Sequence, residues 1–203
     1  MISCFKGKFK VTSPRGYRTH PVTGEKGTFH KGIDLVGIQD TIVYSISEGV
    51  VTTAYQANGA GYYVVVTMDD GRRVFYMHLA KDSFKVINGQ RVSRGQALGV
   101  MGSTGNSTGA HTHLELRPAG TTYDSLDIAE FTGIPNKIGT YEYKEEQSMK
   151  FKDVPDTHWA AKAIDELSEK GIIKGYEDGT FKPEQSVTRA EVAVMISRAM
   201  EAK

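Results

Sequence analysis

The chain has 203 residues, enough for one ordinary domain with a small companion, or for two small domains. Lys and Arg number 25 against 24 Asp and Glu, which gives no electrostatic case for nucleic acid or an anionic membrane as the main partner. Apolar runs are only a few residues long, as at Tyr62 to Val66, too short to span a bilayer, and the single Cys4 excludes an internal disulfide.

The N-terminal stretch MISCFKGKFKVTSPRG lacks the apolar run of a secretory signal. With 22 Gly, 6 Pro and short runs of Val, Ile and Tyr, the composition predicts a β-rich chain. Phe5 to Val11 reads as a short strand and Ser13-Pro14-Arg15-Gly16 as a turn. The next segment, YRTHPVTGEKGTFHKGIDLVG, carries His20, His30 and Asp34. The spacing His30-x-x-x-Asp34 would align both on one helix face. Gly27, Gly32 and Gly37 surround it, however, with Ile33 and Val36 inside, so the segment reads as a loop entering a strand. Either way it offers an imidazole and a carboxylate, both common zinc ligands.

From Thr41 to Leu79 the sequence predicts successive short strands, TIVYSI, GVVTTAYQ, YYVVVTMD and RRVFYMHL. Asn58-Gly59 and Asp70-Gly71 supply hairpin turns between them. YYVVVTM is apolar on both faces and is expected to be central. In the following strand, alternation puts Val74, Tyr76 and His78 on one face and Phe75, Met77 and Leu79 on the other. Gly102 to Arg117, GSTGNSTGAHTHLELR, is a glycine-rich loop running into a strand. There His111, His113 and Glu115 share one face, while Thr112, Leu114 and Leu116 take the other. Neighbouring imidazoles on one face can share a zinc ion or divide ligand and acid/base roles around it.

After about Tyr143 the composition changes. Residues 144–150 are charged and aperiodic and read as a linker. Trp159, Ala163, Ile164 and Leu167 recur at helical spacing up to a stop at Lys170-Gly171. Thr188 and Glu191 form a capping box for a second helix with Val192, Met195, Ile196 and Met200 as its apolar stripe. The expected architecture is therefore α+β and β-rich: a domain over 1–143, a linker over 144–150 and a helical hairpin over 151–203.

Five of the six histidines, His20, His30, His78, His111 and His113, lie in the first part, with His158 alone in the second. H-x-x-x-D, then Y-x-H-L, then G-x-T-G-x-S-T-G-x-H-x-H-x-E resembles the lysostaphin-like (LytM-type) zinc metallopeptidases, peptidoglycan endopeptidases, over roughly Thr12 to Arg117. The resemblance implies an antiparallel β-sheet groove and one zinc ion held by His30, Asp34 and His113. It also implies His78 and His111 as the two non-ligand histidines, one acting as base and acid and the other steadying the oxyanion, in an order left open. His20 is read as groove-lining, Asn106 as a substrate contact, and Tyr76 as packing or substrate contact. Glu115 reads as a partner of a ligand histidine or as a strand-face ion pair. Thr112 departs from the family, which usually has a bulkier apolar residue between the two histidines.

Residues Phe151 to Met200 resemble an S-layer homology repeat, carried by FKDVPDTHWAAKAIDELSEKGII, GYEDGTFKP and TRAE. That resemblance implies a secondary cell-wall polymer as partner, with Trp159 and Arg189 as contacts. Relatives usually carry three repeats, so a single one implies either assembly into a homo-oligomer or weak binding alone. The expected function is a wall-cutting enzyme tethered to bacterial peptidoglycan. A phage endolysin of a Gram-positive host, made in the cytoplasm and released to the wall, fits the lack of a signal. The alternatives are an autolysin or sporulation hydrolase, or a degenerate wall-binding protein.

Overall fold

The computed structural model of the chain describes residues 1–19, 23–121, 123–143, 151–155 and 157–201. It divides into two compact units, Met1–Lys144 and Glu145–Lys203. The predicted linker over 144–150 lies outside the described residues.

In the first unit the elements in chain order are β1 (Gly7–Ser13), β2 (Gly16–Arg18), β3 (Thr28–His30), β4 (Ile33–Gly37), β5 (Ile42–Tyr44), β6 (Gly49–Gln56) and β7 (Gly61–Thr67). They continue with β8 (Arg73–Leu79), β9 (Arg91–Val92), β10 (Ala97–Val100), β11 (Thr112–Arg117), α1 (Ile128–Thr132) and β12 (Gly139–Tyr143). Eight strands form one antiparallel sheet in the order β12-β1-β4-β11-β8-β7-β6-β9, and β10-β5 and β2-β3 form two small ladders. The fold is thus the β-rich, antiparallel α+β class that the sequence predicts. After His30 the chain passes through Lys31 and Gly32 as a short loop and enters β4, and Gly32 leaves no room for a side chain beside the Leu114 carbonyl oxygen.

Alternation divides the sheet into two unlike faces. Phe9, Val11, Ile33, Leu35, Val64, Val66, Val74, Tyr76, Leu114 and Leu116 point into the main core. On the opposite face Val65, Phe75 and Met77 make a smaller apolar cluster with Ala60, next to Asp34, His113 and Glu115. β7 contributes to both clusters, which explains why its sequence is apolar on both faces.

One strand breaks the expected alternation. In the β7–β8 ladder Tyr62 pairs with Leu79 and Val64 with Tyr76, so Met77 and His78 together oppose Tyr63 alone. This bulge places His78 in the left-handed region at φ 64°. Two residues against one rotate the rest of the strand by half a pleat. Tyr76 and His78 therefore do not share a face. Tyr76 is fully buried in the main core, where its hydroxyl accepts the Ile46 N–H at 2.8 Å. The expectation of Tyr76 as a substrate contact is corrected on that ground.

The second unit contains α2 (Ala161–Glu169) and α3 (Arg189–Glu201). Gly171, at φ 68°, ends α2: its N–H bonds the Ser168 carbonyl and the Ile172 N–H bonds that of Leu167, both at 2.9 Å. The capping box forms as predicted, with Thr188 N–H on the Glu191 carboxylate at 2.7 Å and Glu191 N–H on Thr188 Oγ1 at 3.2 Å. Phe151, Ile164, Ile172 and Ile173 make the buried core. A core of that size cannot cover both helices. Of the predicted α3 stripe, Met195 packs on it, while Ile196 and Met200 are exposed. Trp159 precedes α2 rather than lying on it and is 89% exposed, with its ring stacked on His158.

Two substitutions test this packing. Thr112 is fully buried, pairs with Leu35 in β4, and its hydroxyl lacks a hydrogen-bond partner among the described residues. Thr112→Val removes that unpaired group at constant shape and should raise unfolding stability in urea by about 1 kcal/mol. Tyr76→Phe strands the Ile46 N–H and should lower it by about 1–3 kcal/mol.

Candidate metal centre

The site is built where β4 and β11 pair, because their register sets Asp34 opposite His113. His30 ends β3, separated from the start of β4 by two residues, and arrives beside them. All three are buried at the floor of an open cleft of ≈ 620 Å³. His30 Nε2 lies 3.1 Å from Asp34 Oδ1 and 2.9 Å from His113 Nδ1, and His113 Nδ1 lies 2.9 Å from Asp34 Oδ1.

The outer partners decide which ring nitrogens are bare. His30 Nδ1 faces the Pro14 carbonyl oxygen at 2.8 Å, and His113 Nε2 faces Glu115 Oε2 at 3.2 Å. Both partners only accept, so those nitrogens carry the hydrogens and donate. His30 Nε2 and His113 Nδ1 are left as lone pairs pointing at each other and at a carboxylate oxygen. Three electron-rich atoms at such separations require a cation between them. Tetrahedral zinc, with bonds of about 2.0–2.1 Å, asks for donor separations of about 3.3 Å, so the triangle fits with a small expansion. The two-imidazole, one-carboxylate set is also one that zinc takes with an open fourth position.

Without a metal, protons must fill the triangle. Burial by itself would raise the Asp34 carboxyl, but hydrogen bonds from His113 and His30 hold it far below the usual carboxylate range. Burial would lower His113, but its hydrogen bonds to Asp34 and Glu115 push it up to about 9. Burial would likewise raise Glu115, and the hydrogen bonds from His113 and Arg117 bring it down to about 2. Glu115 is thus a buried carboxylate that fixes the His113 tautomer, held in turn by Arg117 Nε at 2.8 Å. Both readings that the sequence leaves open are met, since Glu115 is bonded to His113 and makes a strand-face ion pair with Arg117.

Two further imidazoles stand over the triangle. His111 Nε2 lies 3.7 Å from Asp34 Oδ1, and the His78 and His111 rings are 4.8 Å apart. Each again donates Nδ1–H to a backbone carbonyl, His78 to Thr104 and His111 to Gly109, both at 2.8 Å. In the neutral ring each therefore presents a bare Nε2. Burial draws the His78 imidazole down to about 4, against the pull of the Thr104 carbonyl, so it is neutral near pH 7. Thr104 is itself pinned: its hydroxyl donates to the Leu79 carbonyl at 2.7 Å and accepts the Tyr62 N–H at 2.9 Å.

Asn106 lines the cleft, and its backbone N–H is tied to the Gly59 carbonyl at 2.8 Å. His20 lies outside the described residues. Trp159 and Arg189 belong to the second unit. The cleft also carries three cations that the sequence reading did not single out, Arg18, Lys31 and Arg117. No spacing signal marks Arg18 or Lys31. Arg117 continues the period-two face of His113 and Glu115 and was open to the same alternation argument.

Residues 28–125 match peptidase family M23, and residues 150–193 match the S-layer homology domain. The chain is 36% identical over 135 residues to the peptidoglycan DD-endopeptidase ShyA of Vibrio cholerae, covering 64% of this chain and 30% of that protein. Its fold is similar to the catalytic domain of the antimicrobial peptidase lysostaphin from Staphylococcus simulans, with a TM-score of 0.55 and 29% identity over 62% of this chain and 92% of that one. It is also similar to the catalytic domain of the prophage-encoded M23 protein EnpA from Enterococcus faecalis, with a TM-score of 0.50 and 31% identity over 59% of this chain and 88% of that one. The chain spans 25–30% of the length of the curated relatives that its first unit matches. With two imidazole nitrogens and one carboxylate oxygen converging in the cleft of this sheet, the chain carries a domain of peptidase family M23 followed by an S-layer homology domain.

Proposed function

We propose that this chain is a zinc-dependent peptidoglycan endopeptidase, held at the cell wall by its S-layer homology domain. The observation that carries this reading is the convergence of His30 Nε2, Asp34 Oδ1 and His113 Nδ1 under two more imidazoles with bare Nε2 atoms. A zinc ion held there supplies Lewis acidity and an acidified water. One of His78 and His111 would accept a proton at its Nε2 from the attacking water and deliver it to the leaving amine, while the other, once its own Nε2 carries a proton, would donate to the carbonyl oxygen and steady its charge. The hydrogen bonds from their Nδ1 atoms keep both rings facing the reacting atoms. Five intact imidazole and carboxylate groups in one cleft count against a degenerate, purely wall-binding protein.

For the bond cut, we favour a stem-peptide cross-link over a polyglycine bridge. Lys31 lines the cleft, where its ammonium donates to the Tyr123 carbonyl oxygen rather than to a carboxylate, and stem peptides carry carboxylates where polyglycine does not. The activity named for ShyA supports the same choice. For the second unit, we take the exposed Trp159 and Arg189 as contacts for an anionic secondary cell-wall polymer. A tether of that kind raises the local concentration of the enzyme at an immobile substrate. The pairing of a wall hydrolase with a wall-binding domain supports an endolysin acting on a Gram-positive wall after release from the host cytoplasm. The prophage origin of EnpA agrees with this.

Purified Gram-positive walls should lose turbidity with the protein, stop clearing with a chelator, and resume on zinc addition. Mass spectrometry of the released fragments then names the bond. Absence of clearance on every wall type, with the protein still sedimenting with walls, would sink the enzymatic reading. His78→Ala and His111→Ala should each lower turnover by about 10²–10⁴-fold while still binding zinc.

Metal entry displaces the proton that His113 holds below about pH 9. Apparent zinc affinity, read by chelator competition, should therefore rise by up to about tenfold per pH unit from about 6 to about 8. Metal-free stability runs the other way. The contribution of His113 is complete below its unfolded value of 6.5 and is lost as pH rises through about 9.

A further inference from the structure

The two oxygens of Asp34 face different partners. Oδ1 is the corner of the donor triangle, 2.9 Å from His113 Nδ1 and 3.1 Å from His30 Nε2. Oδ2 is turned away to Arg18 Nη1 at 3.3 Å, and the same nitrogen donates to Ser13 Oγ. Ser13 reaches that position because the β1–β4 ladder shifts register between Val11 and Ser13, which sets Ser13 opposite Asp34.

Arg18 comes from the hairpin that also delivers His30. In the β2–β3 ladder Gly16 pairs with His30 and Arg18 with Thr28. The entry to that hairpin is anchored by Arg15, whose N–H bonds Asn136 Oδ1 at 2.7 Å and whose guanidinium bonds the Ser125 carbonyl at 3.2 Å. Tyr17 packs edge-on against Phe29 across it, with ring centres 5.0 Å apart. Ligand delivery and carboxylate orientation are thus joined in one anchored element.

A carboxylate can bind a metal through one oxygen or through both. With both oxygens, it would fill the position that a water and a substrate carbonyl must share. We infer that Arg18 is a positioning residue that withdraws Oδ2 and keeps Asp34 a one-oxygen ligand, so that the fourth coordination position stays open. This rests on His30, Asp34 and His113 being the metal ligands. It assigns Arg18 a role opposite to simple support. A cation beside a divalent ion repels it, so losing Arg18 leaves metal affinity equal or greater while closing the site.

Cobalt(II) in place of zinc reads the coordination directly, because its visible absorption weakens as the number of ligands grows. The full-length cobalt protein and its R18M variant would be compared for visible absorption and for cobalt affinity by chelator competition. The expected result for R18M is an absorption about twofold or more below wild type, with affinity not reduced. Wall-clearing turnover should fall with it. R18A should behave in the same way and regain the wild-type band on addition of methylguanidinium, which keeps the test available should R18M fail to fold. A wild-type band in folded R18M, or an R18A band indifferent to methylguanidinium, would overturn the role of Arg18 alone. A wild-type protein that takes up no cobalt would overturn the ligand assignment itself.

Discussion

The site depends on one pairing, that of Asp34 in β4 with His113 in β11. Side chains alternate along a strand, so a slip of one residue would turn Asp34 and His113 into the core and bring Ile33, Leu35, Leu114 and Leu116 out. Those four apolar residues are fully or almost fully buried in the main cluster. Burying a side chain of that size is worth about 1.5–3 kcal/mol. The hydrophobic pattern of the core face therefore fixes the register that sets the polar face, and packing energy on one side of the sheet holds geometry on the other.

Around this regular pair the working groups sit on irregular backbone. The register shift at Ser13 and the bulge at Met77 and His78 each turn a side chain toward the cleft that strict alternation would send elsewhere. Close backbone packing then locks these turns. A Cβ on Gly32 would lie 2.7 Å from His113 Nε2, so the imidazole rests where only a glycine leaves space. Gly61, at φ 65°, approaches the carbonyl of Thr104 in the same way. That contact holds the loop whose carbonyl fixes His78. The left-handed backbone of His78, at φ 64°, persists because these surrounding contacts over-determine it.

The electrostatic design runs outward in layers of alternating sign. Asp34 is hydrogen-bonded to His113 and His30 through one oxygen and has Arg18 behind the other. His113 has Glu115 behind it, and Glu115 has Arg117, whose guanidinium lies 3.9 Å from the centre of the Phe75 ring. Each buried charge meets a partner of opposite sign, which is the condition for keeping ionised groups in a site largely removed from water. The same layering sets which nitrogen of each imidazole is bare, a choice that the ring alone leaves open.

Much of this was legible in the sequence, and the boundary has a physical cause. The strands, the turns at Asn58-Gly59 and Asp70-Gly71, the capping box at Thr188 and Glu191, and the shared face of His111, His113 and Glu115 follow from local preference and periodicity. These act over a few residues and need no knowledge of the rest of the chain. The face taken by His78 did not follow, because a bulge depends on how the β7–β8 ladder closes against Thr104 and Gly61. Nor did the exposure of Trp159 and the α3 stripe, which depends on how little core the second unit assembles. The approach of Arg18 to Asp34 and the tautomers set by Pro14, Thr104 and Gly109 were equally out of reach. By itself the sequence determined which chemical groups are available and on which strand face most of them lie. Only the tertiary structure decided which atoms of those groups meet, because those contacts join segments brought together by packing rather than by spacing.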